Sequence, residues 1–277
     1  MSTLIQAVTP ISLDSAIKPK AGDAVEATSG DVIAITDAAS KGADAVVIEA
    51  PTDGIIEVAS GTVGANVIIN GSGTAGVVIG TGTSGGVAES AAGSTFQVDD
   101  SYQGSVVVNL NGAITSGGSV DPTTETPGGG TIADNLGTTP AGGIDFYINT
   151  GAADDQVQGS AGNDFIRLGA GNDVFNAGKG DDIVRVGTGD DSGTLGAGND
   201  ILYLTVDQLQ GINTKTLADF DANGDDKIQI DAAIQDLVDI EGVGSNGILI
   251  TLSGEQTGEI AVISLGESID EDDIEFV

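Results

Sequence analysis

The 277-residue chain has no histidine and no cysteine, and its eight lysines and arginines face 42 aspartates and glutamates, for a formal charge of −34. Each shortage removes a class of function. Without histidine there is no Ser-His-Asp triad and no His-ligated zinc. Without cysteine there is no disulfide, thiolate metal site or thiol nucleophile. Eight scattered cations cannot build the basic patch that phosphate contacts demand, which excludes nucleic acid as a partner and argues against an anionic membrane surface. No apolar stretch approaches the roughly 20 residues of a membrane span. The opening Met1-Ser-Thr-Leu-Ile-Gln-Ala7 lacks the basic start and long apolar run of a conventional secretory leader.

Aromatic residues are also scarce, at 3 %, whereas glycine reaches 44 residues and apolar residues 39 %. A core of Val, Ile, Leu and Ala around so much glycine predicts thin, repetitive β-structure rather than disorder or a bulky globule. The acids lean towards the carboxyl half: residues 1–143 hold 15 and residues 144–277 hold 27. Their type is more telling. Between Thr126 and Ile240 there are 19 aspartates and no glutamate. Either acid would solvate a surface, so choice of the shorter side chain sets the carboxylate close to the backbone, as in turns and metal loops. A turn preference explains part of that bias but not the spacing.

Asp155, Asp164, Asp173, Asp182, Asp191 and Asp200 recur every nine residues without a break. Two residues before each stands a small residue: Ala153, Gly162, Gly171, Gly180, Gly189 and Gly198. Four before stand Gly151, Ser160, Gly169, Gly178, Gly187 and Gly196, and two after come Val157, Ile166, Phe175, Val184, Gly193 and Leu202. Position-specific chemistry kept over six copies is a repeat architecture rather than low complexity.

These copies resemble the repeats-in-toxin (RTX) family, whose nonapeptide G-G-x-G-x-D-x-U-x builds a calcium-bound parallel β-roll. The resemblance implies that two nonapeptides make one coil, so that Asp155, Asp173 and Asp191 form one column and Asp164, Asp182 and Asp200 the other. It further implies several Ca²⁺ ions held by these aspartates with the loop residues Gly162, Gly169, Gly171, Gly178, Gly180, Gly187 and Gly189. The physics agrees: glycine turns with positive φ and leaves carbonyls free, and the apolar position points into a narrow core. Carboxylates stacked at about 5 Å repel by roughly 3 kcal/mol at an effective dielectric near 20. A hard cation between coils would relieve them, and Ca²⁺ suits a flexible carboxylate-and-carbonyl cage better than Mg²⁺ does. Two copies depart from the pattern, with Ala153 for a loop glycine and Gly193 for the core residue.

Past the last repeat, Asp219, Asp221, Asn223 and Asp225 follow the opening of an EF-hand loop with its turn at Gly224, but Ile230 stands where the closing glutamate belongs. The segment also looks like the cap that follows RTX blocks, which is the favoured reading, and either would set a Ca²⁺ near Asp219 and Asp221. Residues 232–240 read as a short helix, and Ile248–Leu252 with Ile260–Leu265 as a hairpin. The acidic, apolar ending Asp272-Asp-Ile-Glu-Phe-Val277 resembles the uncleaved type I secretion signal of the same family, which implies export through type I machinery and folding outside the cell.

Upstream, Pro- and Gly-rich residues 116–143 read as a linker. Residues 21–115 hold short β-branched runs separated by Gly and Ser, the rhythm of a β-sandwich or β-solenoid, without the aspartate pattern. The chain is therefore read as all-β: an extended segment (1–20), a Gly/Val-rich β-domain (21–115), the linker (116–143), a calcium-bound parallel β-roll (144–206) and a small cap with the secretion-signal region (207–277).

Carboxylate chemistry is all that the missing residues leave an enzyme. No compact acid pair with flanking aromatics occurs in residues 1–143, so no enzyme is expected. Composition and resemblance point instead to a secreted, extracellular or cell-surface protein that assembles with copies of itself under calcium, as a surface layer, fibre or biofilm matrix component. The alternative is an adhesin module that binds polysaccharide or another surface without self-assembly.

Overall fold

The computed structural model describes residues 11–12, 16–20, 22–35, 45–60, 66–80, 82–84, 87–89, 94–99, 102–110, 120, 143–206, 208–209, 211–221, 224–253 and 258–277. It is nearly all β, and its large sheets are built mainly from parallel strands, consistent with a β-roll. A ten-stranded sheet contains, in spatial order, Ala24–Glu26, Val46–Glu49, Asn66–Asn70, Ser94–Val98, Phe146–Asn149, Asp164–Arg167, Ile183–Arg185, Ile201–Leu204, Lys227–Ile230 and Ile274–Phe276. An eleven-stranded sheet runs from Val32–Ile35 through Ile55–Ser60, Gly76–Gly80, Val106–Asn109, Gln156–Gln158, Val174–Lys179, Asp191–Ala197 and Gly211–Leu217. It ends on Gly258–Ser264, Gly247–Leu252 and Val238–Val243. Apart from a small sheet holding Gly82–Ser84 and Val87–Glu89, the chain enters the two large sheets alternately from Ala24 to Ile230. Within that span each parallel pairing of the large sheets is thus bridged by one strand of the opposite large sheet, which meets the need of parallel strands for a crossover.

Side chains alternate along each strand, and one row per sheet faces the space between the sheets. In the ten-stranded sheet that row aligns Phe96, Ile148, Ile166, Val184, Leu202 and Ile228 in register. All six are fully buried in one core that also takes Val58, Ile79, Val108 and Val157 from the facing sheet. β-branched and aliphatic residues make up most of that core, with Phe96, Tyr102, Phe146, Phe175 and Phe220 as its few large members. In the eleven-stranded sheet the row reads Val157, Phe175, Gly193, Leu217. A Cβ on Gly193 would lie 2.6 Å from the Phe175 ring, so the largest side chain of the row occupies the space its glycine neighbour leaves. The missing apolar residue of the fifth repeat is thereby accounted for.

On the other face of the ten-stranded sheet, Tyr147, Phe165, Ile183 and Tyr203 form a second buried cluster with Val120 and Ile144. The Tyr147 and Phe165 rings meet edge-on with centroids 5.2 Å apart. Val120 belongs to the Pro- and Gly-rich segment 116–143; it is buried, and its N–H donates to the Ile144 carbonyl at 2.7 Å. Residues 121–142, most of the expected linker, lie outside the described residues.

The β-branched runs of the amino half fold as strands, and their pairing leads directly into the repeats: Ser94–Val98 pairs with Phe146–Asn149, and Val106–Asn109 with Gln156–Gln158. At the carboxyl end the expected hairpin forms between Gly247–Leu252 and Gly258–Ser264. The expected helix is a 3-10 helix, Ala232–Leu237, capped by the Asp231 carboxylate. It stops there because Val238–Val243 pairs antiparallel with Gly247–Leu252. The acidic tail supplies the last strand, Ile274–Phe276, parallel to Lys227–Ile230.

Candidate metal centre

The two sheets meet along two rows of turns, and the repeat aspartates stand where each turn passes into a strand. Register carries Asp155, Asp173 and Asp191 to one row and Asp164, Asp182 and Asp200 to the other, with Gly169, Gly171, Gly187 and Gly189 in the turns of the first and Gly162, Gly178 and Gly180 in those of the second. Glycine is required there by close approach. Gly169, at φ +87°, would put a Cβ 1.8 Å from the Gly151 carbonyl oxygen of the preceding coil. Gly171 likewise sits over the Ala153 carbonyl; Ala153 opens the repeats with no earlier repeat beneath it, which is why alanine fits there.

Each aspartate reaches back one coil. The backbone N–H of Asp155 donates to Asp173 Oδ1 at 2.8 Å and that of Asp173 to Asp191 Oδ1 at 2.9 Å, both across 18 residues. In the second row Asp164 N–H donates to Asp182 Oδ1 at 2.7 Å, and Asp182 N–H to Asp200 Oδ1 at 2.8 Å. The first rung joins the amino half, since Val106 N–H donates to Asp155 Oδ1 at 2.7 Å. The last rung of the second row is Asp226, whose Oδ1 accepts from Asp200 N–H at 3.1 Å.

One oxygen of each carboxylate is therefore used, and the fate of the other defines the site. Oδ2 of Asp155, Asp173, Asp182 and Asp200 is buried with no hydrogen-bond partner. In the two remaining repeats Oδ2 is satisfied, for Asp164 by the Ser160 N–H at 2.6 Å and for Asp191 by the Lys215 ammonium at 2.6 Å. Buried acceptors are almost always paired, so four orphaned oxygens in one repeating position need an explanation. An oxygen-seeking divalent cation supplies one, with the loop carbonyls completing its shell. Among the described residues no three acidic side chains converge on a single point; each turn contributes one carboxylate, and carbonyls must provide the rest. The residues thus fit a calcium ion, whose charge would offset the ladder's own.

A second ladder lies one residue earlier and runs in the opposite sense. Asp154 Oδ1 accepts from Asn172 N–H, Asn172 Oδ1 from Asp190 N–H and Asp190 Oδ1 from Thr214 N–H, at 2.8 to 2.9 Å. On the other row the order is Asn163, Asp181, Asn199, Asp225. Asparagine alternates with aspartate, so no two charges are adjacent in this outer ladder and its repulsion is diluted.

The residues past the repeats are engaged separately. Asp219 accepts from Leu195 and Gly196 N–H, Asp221 exchanges hydrogen bonds with Asp226, and Asp225 pairs with Lys227 at 2.6 Å. Asn223 lies outside the described residues. Sequence reasoning missed Asp226 as the closing rung. The signal was present, because Gly224-Asp225-Asp226-Lys227-Ile228 repeats the pattern of Gly198-Asn199-Asp200-Ile201-Leu202, displaced by 26 residues rather than 18.

Burial, followed by the neighbouring carboxylates, pushes Asp173 up to about 9 and Asp182 to about 10 from an ordinary 3.8. Burial likewise takes Asp155, Asp164 and Asp200 to about 7. Folding without metal therefore takes up protons that the unfolded chain has released. Stability in chelator must fall as pH rises from about 4 through these values, while calcium affinity rises as protons are displaced. Thermal melts in chelator are expected to show a lower midpoint at pH 8 than at pH 5; an equal or higher midpoint at pH 8 contradicts the ladder electrostatics.

The chain shows no significant match to a curated protein. The nonapeptide period, the stacked aspartates and the glycine turns have a counterpart among known families: residues 149–184 match the model of the RTX calcium-binding nonapeptide repeat, in four copies.

Proposed function

We propose that the protein is a secreted, calcium-dependent structural protein of the cell exterior that assembles with copies of itself, and that it is not an enzyme. The observation that carries the calcium dependence is the set of four buried, partnerless Oδ2 atoms of Asp155, Asp173, Asp182 and Asp200. RTX repeat proteins are typically exported by type I systems, and the acidic tail is consistent with that route. In this reading the bound metal is Ca²⁺, several ions per chain. It is held by Asp155, Asp164, Asp173, Asp182 and Asp200 with the carbonyls of the loop glycines, and Asp219, Asp221, Asn223 and Asp225 belong to the region that closes the roll. No calcium is assigned to the described strands between Ala24 and Asn109, which extend the same two sheets.

Assembly is supported by where the sheets end. Among the described residues the ten-stranded sheet finishes on Ala24–Glu26 and Ile274–Phe276, and the eleven-stranded sheet on Val238–Val243 and on Val32–Ile35, the latter already bridged on its outer side by Ile17. Such edge strands are templates for another copy. A formal charge of −34 holds copies apart until divalent ions neutralise part of it.

The test is light scattering and electron microscopy of the full chain in EGTA and in millimolar CaCl₂. Filaments or sheets appearing only with calcium are the expected result. A monodisperse monomer at all calcium concentrations overturns self-assembly and leaves the polysaccharide-binding adhesin as the reading to pursue.

A further inference from the structure

The first column does not end as the second does. After Asp155, Asp173 and Asp191, the register partner on the next strand is Lys215. Its side chain is 1 % exposed, and its ammonium donates to the Gly187 carbonyl at 2.9 Å, the Gly189 carbonyl at 2.7 Å and Asp191 Oδ2 at 2.6 Å. Those acceptors sit four and two residues before the repeat aspartate, together with that aspartate itself. One coil earlier the corresponding residues are Gly169, Gly171 and Asp173, where Oδ2 has no partner. An ammonium has three donors, and here all three are matched by oxygens converging on one point. A simple buried ion pair would not require two glycine carbonyls to face the same atom.

We infer that Lys215 is a built-in substitute for a calcium ion: its ammonium fills the last cation position of the first column, so that this corner is a latent calcium site closed by the protein itself. This rests on reading the aspartate ladder as calcium-binding. The chemistry differs from a metal's in one respect. A tethered monovalent cation is present at every calcium concentration, so the turn 187–191 and the strand Gly211–Leu217 are held together before any ion binds. The second column has no such device: its last rung, Asp226, is a carboxylate, and Asp200 Oδ2 stays unpartnered.

The test is isothermal titration calorimetry of the full chain with CaCl₂, with far-UV circular dichroism read alongside. Lys215→Met, which keeps the apolar stem and removes the charge, is expected to bind one more Ca²⁺ per chain than the parent and to need calcium to order the coil that the parent orders in chelator. Lys215→Asp, which extends the ladder by one rung, is expected to gain the same ion. Unchanged stoichiometry in a folded Lys215→Met or Lys215→Asp chain overturns the inference, as does failure of both variants to fold in saturating calcium. If the parent itself binds no calcium, the ladder reading fails instead, a result distinct from either.

Discussion

In excess chelator the roll, residues 144–230, is expected to melt at a much lower temperature, and to regain its stability in millimolar CaCl₂. The cause is the inner ladder. Every rung sets a buried carboxylate beside the next, and the backbone hydrogen bonds that join them satisfy only one oxygen each. A partly desolvated charge of this kind is tolerated only when paired. Calcium binding to the folded roll then becomes folding free energy. Each ion held at a hundredfold excess over its dissociation constant adds about 2.7 kcal/mol. Four such ions would raise the thermal midpoint by on the order of 20 °C or more for a chain of this size. Circular dichroism melts with EDTA or CaCl₂ read this directly. A spectrum and midpoint indifferent to calcium would mean that the ladder carries itself.

A sharper result comes from Asp182→Asn, whose effect should change sign with the metal. Asp182 carries the most strongly raised carboxyl of the ladder, held up first by burial and then by Asp164. Asparagine keeps an oxygen where Asp182 Oδ1 accepts from Asp164 N–H, and puts a neutral amide in place of the orphaned Oδ2. In chelator the variant no longer has to take up a proton or bury a charge at this position on folding, and it gains stability, by about 1–3 kcal/mol. In calcium it has lost a charged ligand, so affinity at that corner drops by on the order of tenfold or more. The variant should therefore melt above the parent in EDTA and below it in CaCl₂. The same sign in both solutions would show that Asp182 serves packing alone.

The sequence made the repeat block readable because its coil length is constant: with an aspartate every nine residues, arithmetic alone puts Asp164 beside Asp182 and Asp173 beside Asp191. The closing rungs were less visible. Insertions before Lys215 and Asp226 stretch the spacing from 18 residues to 24 and 26, and a fixed period steps past both. Lys215 could not be recognised by residue type either, since an ammonium doing the work of an ion looks like any other lysine until three oxygens surround it. In the amino half the strands were visible from their β-branched runs but their neighbours were not. Val46 pairs with Val67, Val67 with Phe96 and Phe96 with Ile148, so coil length changes from one coil to the next and leaves no period to detect. The second cluster was hidden for another reason. Tyr147, Phe165 and Ile183 occupy the face that a two-sided alternation assigns to solvent, and only their company with Val120 and Ile144 explains their apolar character.

The strict exchange of the chain between two sheets fixes the grain in which this molecule can change its length. A nine-residue insertion or deletion within the roll would send every downstream strand to the opposite sheet, trading the residues of one edge for those of the other and parting Tyr147 and Phe165 from the rings and aliphatics that now adjoin them. An eighteen-residue step leaves every partnership intact and merely adds or removes a storey. Lengthening or shortening by natural drift or by laboratory splicing should therefore be quantised in pairs of nonapeptides, an even-number rule imposed by the winding rather than by the individual motif.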